Sequence, residues 1–180
     1  MDLQNFEGQL LYFDLNNSEE VTTLLTRAAH SYGAQDEQGK SLAEPLLQKA
    51  YALAPENLSV LVALYRFYYY QHRYPEALDI AFQAMKAVAP SISFPSDWLQ
   101  LTFNHLACGV LKSFTLVRFY LLALKGAAYL NLRMGNIADG VFMLNKVVEF
   151  DSQDRLGARA LLQTVGPTKV ADNTQLRAVN

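Results

Sequence analysis

The chain has 180 residues, of which 51% are hydrophobic, so it is long and apolar enough to bury a core and is not a disordered protein. Fifteen basic and seventeen acidic side chains give a formal net charge of −2, which excludes a strong positive field for nucleic acid or anionic lipid. Cys108 is the single cysteine and residues 1–17 lack a signal-peptide pattern, so we expect a cytoplasmic protein without an internal disulfide.

Helices are predicted along most of the chain, because apolar residues recur at intervals of three and four and Leu and Ala are abundant. Caps, prolines and glycines divide the pattern into helices near 18–33, 41–54, 57–72, 75–88, 96–110, 113–133, 137–150 and 153–165. We therefore expect an all-α domain over 18–165. Residues 1–17 form an N-terminal segment that either docks or extends the first helix, and residues 166–180 form a flexible polar tail.

The most apolar part of the chain runs from Trp98 to Leu132. Polar and charged side chains interrupt it, so it lacks the continuous run of about 18 apolar residues that a membrane span requires. We expect a buried helix and no membrane association. The segment either enlarges the core or presents an apolar patch to a second copy or an obligate partner. The side chains that decide between these alternatives are Trp98, Phe103, Phe114 and Phe119.

Small and apolar residues repeat with a period of 34 residues. The first block is Ala43, Leu47, Ala50 and Tyr51, the second is Ala77, Ala81, Ala84 and Met85, and the third, with the same internal spacing, is Gly140, Leu144, Val147 and Val148. The chain here resembles the tetratricopeptide repeat family, whose unit is an antiparallel pair of helices in 34 residues. The resemblance is clearest over 58–91 and weaker over 24–57 and 121–154.

The resemblance implies a right-handed superhelix of antiparallel helix pairs, with an inserted apolar helix and a C-terminal capping helix. In this family the first helix of each pair lines a concave groove that holds a peptide or a partner helix. The positions that the resemblance assigns to this groove are Val62, Arg66, Tyr69, Tyr70, Lys125, Tyr129 and Arg133. Rigid rings beside cations favour an acidic or aromatic peptide. Tyr65 departs from the pattern by replacing a small residue, so either the helices splay or Tyr65 fills space left by Ala81.

His105 and Cys108 would share one helix face, which is half of a metal site or of a thiol nucleophile pair. No further ligand, phosphate-binding loop or hydrolase motif accompanies them, so we expect no enzyme, no cofactor and no metal. The expected function is that of an adaptor, assembly factor or chaperone that binds another protein. Two alternatives stay open: a small metal- or thiol-dependent enzyme centred on His105 and Cys108, and a structural subunit that forms homo-oligomers through residues 98–124.

Overall fold

A computed structural model describes residues 17–33 and 37–166, apart from the side chains of residues 37–41. Over this part of the chain the protein is all-α, as predicted, and no strand occurs there. The helices are α1 (Glu19–Gly33), α2 (Glu37–Leu53), α3 (Leu58–Tyr70), α4 (Tyr74–Val88), α5 (Phe103–Arg133), α6 (Ile137–Phe150) and α7 (Ala158–Val165). Three-ten turns occupy Ala89–Ile92 and Trp98–Gln100. Apart from Asn17 and Gly166, the predicted N-terminal segment and C-terminal tail lie outside the described residues.

Polar side chains explain where α1 and α3 begin. Ser18 caps α1, because its hydroxyl accepts a hydrogen bond from the backbone N–H of Val21 at 3.3 Å. Asn57 caps α3 in the same way, with its side chain accepting from the backbone N–H of Val60 at 3.2 Å. The Asn57 side chain also donates a hydrogen bond to the side-chain oxygen of Asn17, just before α1.

The predicted break in the apolar segment is confirmed at Ser113. This residue has an extended backbone (φ −161°, ψ 105°) inside α5, and its hydroxyl accepts a hydrogen bond from the backbone N–H of Leu116 at 3.2 Å. Ser113 is therefore an internal N-cap that divides α5 into an outer half and an inner half. The outer half begins at Thr102, which forms a capping box with His105.

Backbone contacts divide the chain after Ala87 into two compact units. In the first unit α1 packs on α2, and α2 packs on α3. The alanines of the predicted repeat, Ala77, Ala81 and Ala84, are buried, as small residues between packed helices should be. Tyr65 is only 1% exposed, so it occupies core space. The prediction of a single domain over 18–165 stays a prediction.

In the second unit α5 packs on α6, α6 packs on α7, and the three-ten turn Ala89–Ile92 packs on α5. Gly140 marks the closest approach of α5 and α6, because a Cβ there would lie 2.6 Å from Leu132 Cδ2 and 2.9 Å from the carbonyl oxygen of Ala128. Tyr120 lies edge-to-face with Phe94, with ring centroids 4.9 Å apart. Burial raises the pKa of Tyr120.

The two halves of α5 differ in burial. Residues 117–128 are buried except for the partly exposed Arg118, so the prediction of a buried helix is confirmed for the inner half. It is wrong for the outer half, where Leu111 is 88% exposed, because the break at Ser113 changes the direction of the chain. Among the described helices, α5 alone has the length and apolar composition of a membrane span, and 39% of its most apolar window is buried.

Candidate functional site

A pocket of about 330 Å³ lies between α1, α2 and α3 in the first unit. Its apolar surface comes from Leu25, Ala28, Ala43, Leu47 and Ala63, and its larger side chains are Tyr32, Arg66, Phe67 and Tyr70. Two of these residues, Arg66 and Tyr70, are among the positions predicted to line a binding groove. The structure brings both of them to the same pocket.

Helical spacing explains why these residues meet. The pocket is lined by residues 25, 28, 29 and 32 of α1, which are separated in turn by three, one and three positions. The lining residues of α3, which are 63, 66, 67 and 70, have the same spacing. Each set therefore forms one stripe along its helix. Ala43 and Leu47 of α2 add one further turn of helix to the lining. The short alanine side chains leave open space between the three helices.

The aromatic rings of the pocket are braced by other rings. Tyr32 lies edge-to-face with Phe67, with centroids 5.8 Å apart. Tyr70 lies edge-to-face with Tyr69 at 5.5 Å, and Tyr69 stacks on the buried Tyr65 at 6.2 Å. Tyr70 is still 46% exposed, so it offers much of its surface to solvent. Such bracing lowers the entropy lost when a ring contacts a partner.

Two of the predicted groove residues are buried. Val62 is 2% exposed and Lys125 is 7% exposed, so the prediction that these side chains face a groove is wrong. Val62 lies in the stretch 59–62, which is buried throughout. The Lys125 ammonium donates a hydrogen bond to the carbonyl oxygen of Leu156 at 2.7 Å, in the connection between α6 and α7. This lysine therefore ties α5 to the connection that precedes the last described helix.

Tyr129 and Arg133 lie one turn apart near the end of α5. Arg133 Nη1 donates to the Tyr129 hydroxyl at 3.0 Å, and the guanidinium lies 5.9 Å from the ring centroid. These residues belong to the second unit, whereas Arg66, Tyr69 and Tyr70 belong to the first. That the two sets line one groove stays a prediction.

His105 and Cys108 lie on the outer half of α5. The His105 Nδ1 atom accepts a hydrogen bond from the backbone N–H of Thr102 at 3.2 Å, so this nitrogen is engaged in the helix cap. The Cys108 thiol is exposed. Across residues 17–33 and 37–166, excluding the side chains of 37–41, the structure contains no group of three His, Cys, Asp or Glu side chains suited to a metal ion. The prediction of a metal- or thiol-dependent enzyme stays untested.

A polar cluster that the sequence analysis missed joins α2 to the turn between α3 and α4. Arg73 Nη1 contacts Glu44 Oε1 at 2.7 Å, and Arg73 Nε contacts Glu76 Oε1 at 2.8 Å. The hydrogen bond from Arg73 lowers the pKa of Glu76, whereas burial raises the pKa of Tyr68, whose ring lies 4.5 Å from the guanidinium. The ion pair of Arg73 and Glu76 could have been predicted from the sequence, because oppositely charged residues three positions apart lie next to each other on a helix. The ion pair of Arg73 and Glu44 could not, because 29 residues separate them in the sequence.

The comparisons with known proteins give one close relative. An uncharacterized 19.8 kDa protein in the nifW 5′ region of Azotobacter chroococcum mcd 1 is 46% identical to this chain over 165 residues, which are 92% of this chain and 89% of the relative. No protein-family model matches the chain, and no solved structure matches it with significance. The chain and this relative are therefore similar along nearly their whole lengths.

Proposed function

Because the chain belongs to one family with the uncharacterized 19.8 kDa protein of Azotobacter chroococcum, we propose one function for both: they bind another protein, as adaptor, assembly factor or chaperone. The observation that carries this proposal is the pocket between α1, α2 and α3, in which the exposed Tyr70 ring, the partly exposed Tyr32 ring and a guanidinium lie beside apolar side chains. Aromatic residues and arginine are the side chains that contribute most to protein–protein binding energy.

The size and chemistry of the pocket support a partner of a particular kind. Its volume of about 330 Å³ lies at the lower end of the range for ligand pockets, about 300–1,000 Å³, so it suits one large side chain of a peptide. Leu47 and the alanines favour an apolar or aromatic side chain. Arg66 is placed to pair with a carboxylate beside that side chain, and the Tyr70 hydroxyl offers a further hydrogen bond. The preferred partner is an acidic peptide with an aromatic or large aliphatic residue.

We further propose that the helices are tetratricopeptide-like hairpins stacked into a right-handed superhelix. Three observations support this: α1 packs on α2, α5 packs on α6, and α6 packs on α7. The buried small residues at the repeat positions, such as Ala81 and Gly140, support it as well. A crystal structure in which successive helix pairs fail to stack would contradict this arrangement.

The binding proposal is tested by affinity purification with the full-length chain. We expect the variant Arg66→Ala/Tyr69→Ala/Tyr70→Ala to recover at most about one fifth of the amount of the main partner that the unaltered protein recovers. Leu53→Ala is the matched control, because Leu53 is 49% exposed and does not line the pocket. The relative lies in the nifW 5′ region, so the nifW product is the first candidate partner to examine. Equal partner recovery by all three proteins would refute the assignment of the pocket.

A further inference from the structure

A second groove, of about 430 Å³, lies in the second unit between α5 and the connection from α6 to α7. Its apolar walls are Leu106, Val110, Phe114, Val117, Phe150 and Leu156. The groove follows the junction at Ser113, so side chains from both halves of α5 contribute to it. It shares no residue with the pocket in the first unit.

The outer half of α5 presents large apolar side chains to solvent. Leu111 is 88% exposed, Phe103 is 60% exposed, Phe114 is 59% exposed and Val110 is 41% exposed. These residues lie within 12 consecutive positions, so the exposed apolar side chains are concentrated on this one segment. Contiguous apolar patches on a folded protein mark interaction surfaces.

The charges around the groove have mainly one sign. Phe103–Arg133 contains no Asp or Glu, and the groove is lined by Arg118 and Arg155. Asp151 also lines it, but its two carboxylate oxygens accept hydrogen bonds from the backbone N–H groups of Arg155 and Leu156, at 3.1 Å and 2.7 Å. These bonds hold the Asp151 carboxylate in the turn, and the two arginines leave the groove lining with a net formal charge of +1. A ligand in the groove would contact apolar side chains beside two guanidinium groups.

We propose that this groove binds an amphipathic helix of another protein, one with large apolar residues on one face and Asp or Glu on its flanks. The outer half of α5, residues 103–112, is about 15 Å long at 1.5 Å per residue, which matches about three turns of a partner helix. Apolar anchors at positions i, i+3 or i+4, and i+7 of the partner would enter beside Val110 and Phe114. Acidic flanks would approach Arg118 and Arg155.

The same charges disfavour a second copy of the chain as the occupant. In a two-fold symmetric contact both copies use the same surface, so the cationic α5 of one copy would face the cationic α5 of the other. Like charges in contact oppose such pairing. The recess lined by Val117 and Leu121 favours a partner helix, whose side chains would enter it, whereas a bilayer would contact only the protruding side chains such as Leu111.

The test measures fluorescence anisotropy of a labelled peptide with the full-length protein. The probe is a designed 18-residue amphipathic helix with leucines on one face and glutamates on its flanks, and its comparison peptide has lysines in place of the glutamates. We expect the acidic peptide to bind at least about tenfold more tightly. Phe114→Ser and Arg155→Glu should each weaken binding at least about fivefold. Phe142→Ser is the matched control, because Phe142 is 57% exposed and lies outside the groove.

Several results would overturn the proposal. These are equal affinity of the two peptides, absence of binding at about 100 μM acidic peptide, or an affinity unchanged by Phe114→Ser. Binding to phosphatidylserine vesicles without peptide binding would assign the patch to a membrane. A dimer that Phe114→Ser dissociates in light scattering would assign it to a second copy. Tyr70→Ala should leave peptide binding unchanged, so failure of this groove is distinguishable from failure of the pocket between α1, α2 and α3.

Discussion

Replacing Gly140 with alanine tests the close packing of α5 on α6. The added Cβ would lie 2.6 Å from Leu132 Cδ2, 2.7 Å from Leu132 Cγ and 2.9 Å from the Ala128 carbonyl oxygen. The leucine side chain is able to turn aside in part. The carbonyl belongs to the α5 backbone, so relief of that contact requires the two helices to move apart.

The expected cost follows from two opposing effects. Alanine is the better helix former, which favours Gly140→Ala by up to about 1 kcal/mol. Overpacking a tight core costs about 1–3 kcal/mol, and a contact with the backbone belongs at the upper end of that range. We therefore expect Gly140→Ala to lower the free energy of unfolding by about 1–2 kcal/mol.

The measurement is urea denaturation of the full-length chain, followed by far-ultraviolet circular dichroism. Gly33→Ala is the control, because Gly33 ends α1 and no atom lies within 4 Å of its added Cβ. We expect the control to change the free energy of unfolding by less than about 0.5 kcal/mol. If Gly140→Ala were as stable as the unaltered protein, the packing argument for α5 and α6 would be wrong.

Three further predictions concern stability. Leu64 is fully buried and Tyr70 is 46% exposed, so Leu64→Ala should lower the free energy of unfolding by about 2–5 kcal/mol and Tyr70→Ala by less than about 1 kcal/mol. Equal losses in urea denaturation would contradict the placement of Leu64 in the core and of Tyr70 at the surface of α3. Because Arg73 lowers the pKa of Glu76 below 4.5, the ionised carboxylate stabilises the fold above that pH, and this contribution is lost as pH falls further. Glu76 is 42% exposed, so solvent screens the pair and Glu76→Gln should remove only about 0.2–0.5 kcal/mol of the acid-induced loss; an identical pH dependence of stability would refute the role of this pair. Burial raises the pKa of Tyr120 above 10.0, so stability should fall as pH rises past 10.0, and Tyr120→Phe should reduce that fall in alkaline denaturation; an unchanged alkaline transition would count against it.

Local signals in the sequence were enough to predict that the chain is helical, but two predicted helix starts are wrong: the helix predicted for 96–110 begins at Phe103, and the one predicted for 153–165 begins at Ala158. The predicted helix 137–150 matches α6, and the break expected between 110 and 113 occurs at Ser113. Caps, breakers and periodicity act over a few residues, so one sequence contains them in full. Leu61 and Leu64 are fully buried, and their apolar spacing on α3 is a local signal of the same kind, since it identifies the inner face of a helix.

Contacts between distant segments could not be predicted in the same way. The burial of Lys125 depends on the connection around Leu156, 31 residues later, which receives its ammonium. The pocket in the first unit depends on Tyr32 and Leu47, which only tertiary packing brings beside Arg66. The exposure of the outer half of α5 depends on the direction of the chain before Ser113, which an apolar pattern common to both halves cannot reveal.

Ser113 gives the inner half of α5 a helix start that does not depend on the hydrogen bonds of the outer half. Since the Ser113 hydroxyl already satisfies the N–H of Leu116, the inner half has its own start and needs no preceding turn to complete it. Fraying or tilting of residues 103–112 would therefore leave the helix around Tyr120 intact. The exposed apolar side chains of residues 103–112 thus belong to a helical segment whose end is separate from the start of the buried one.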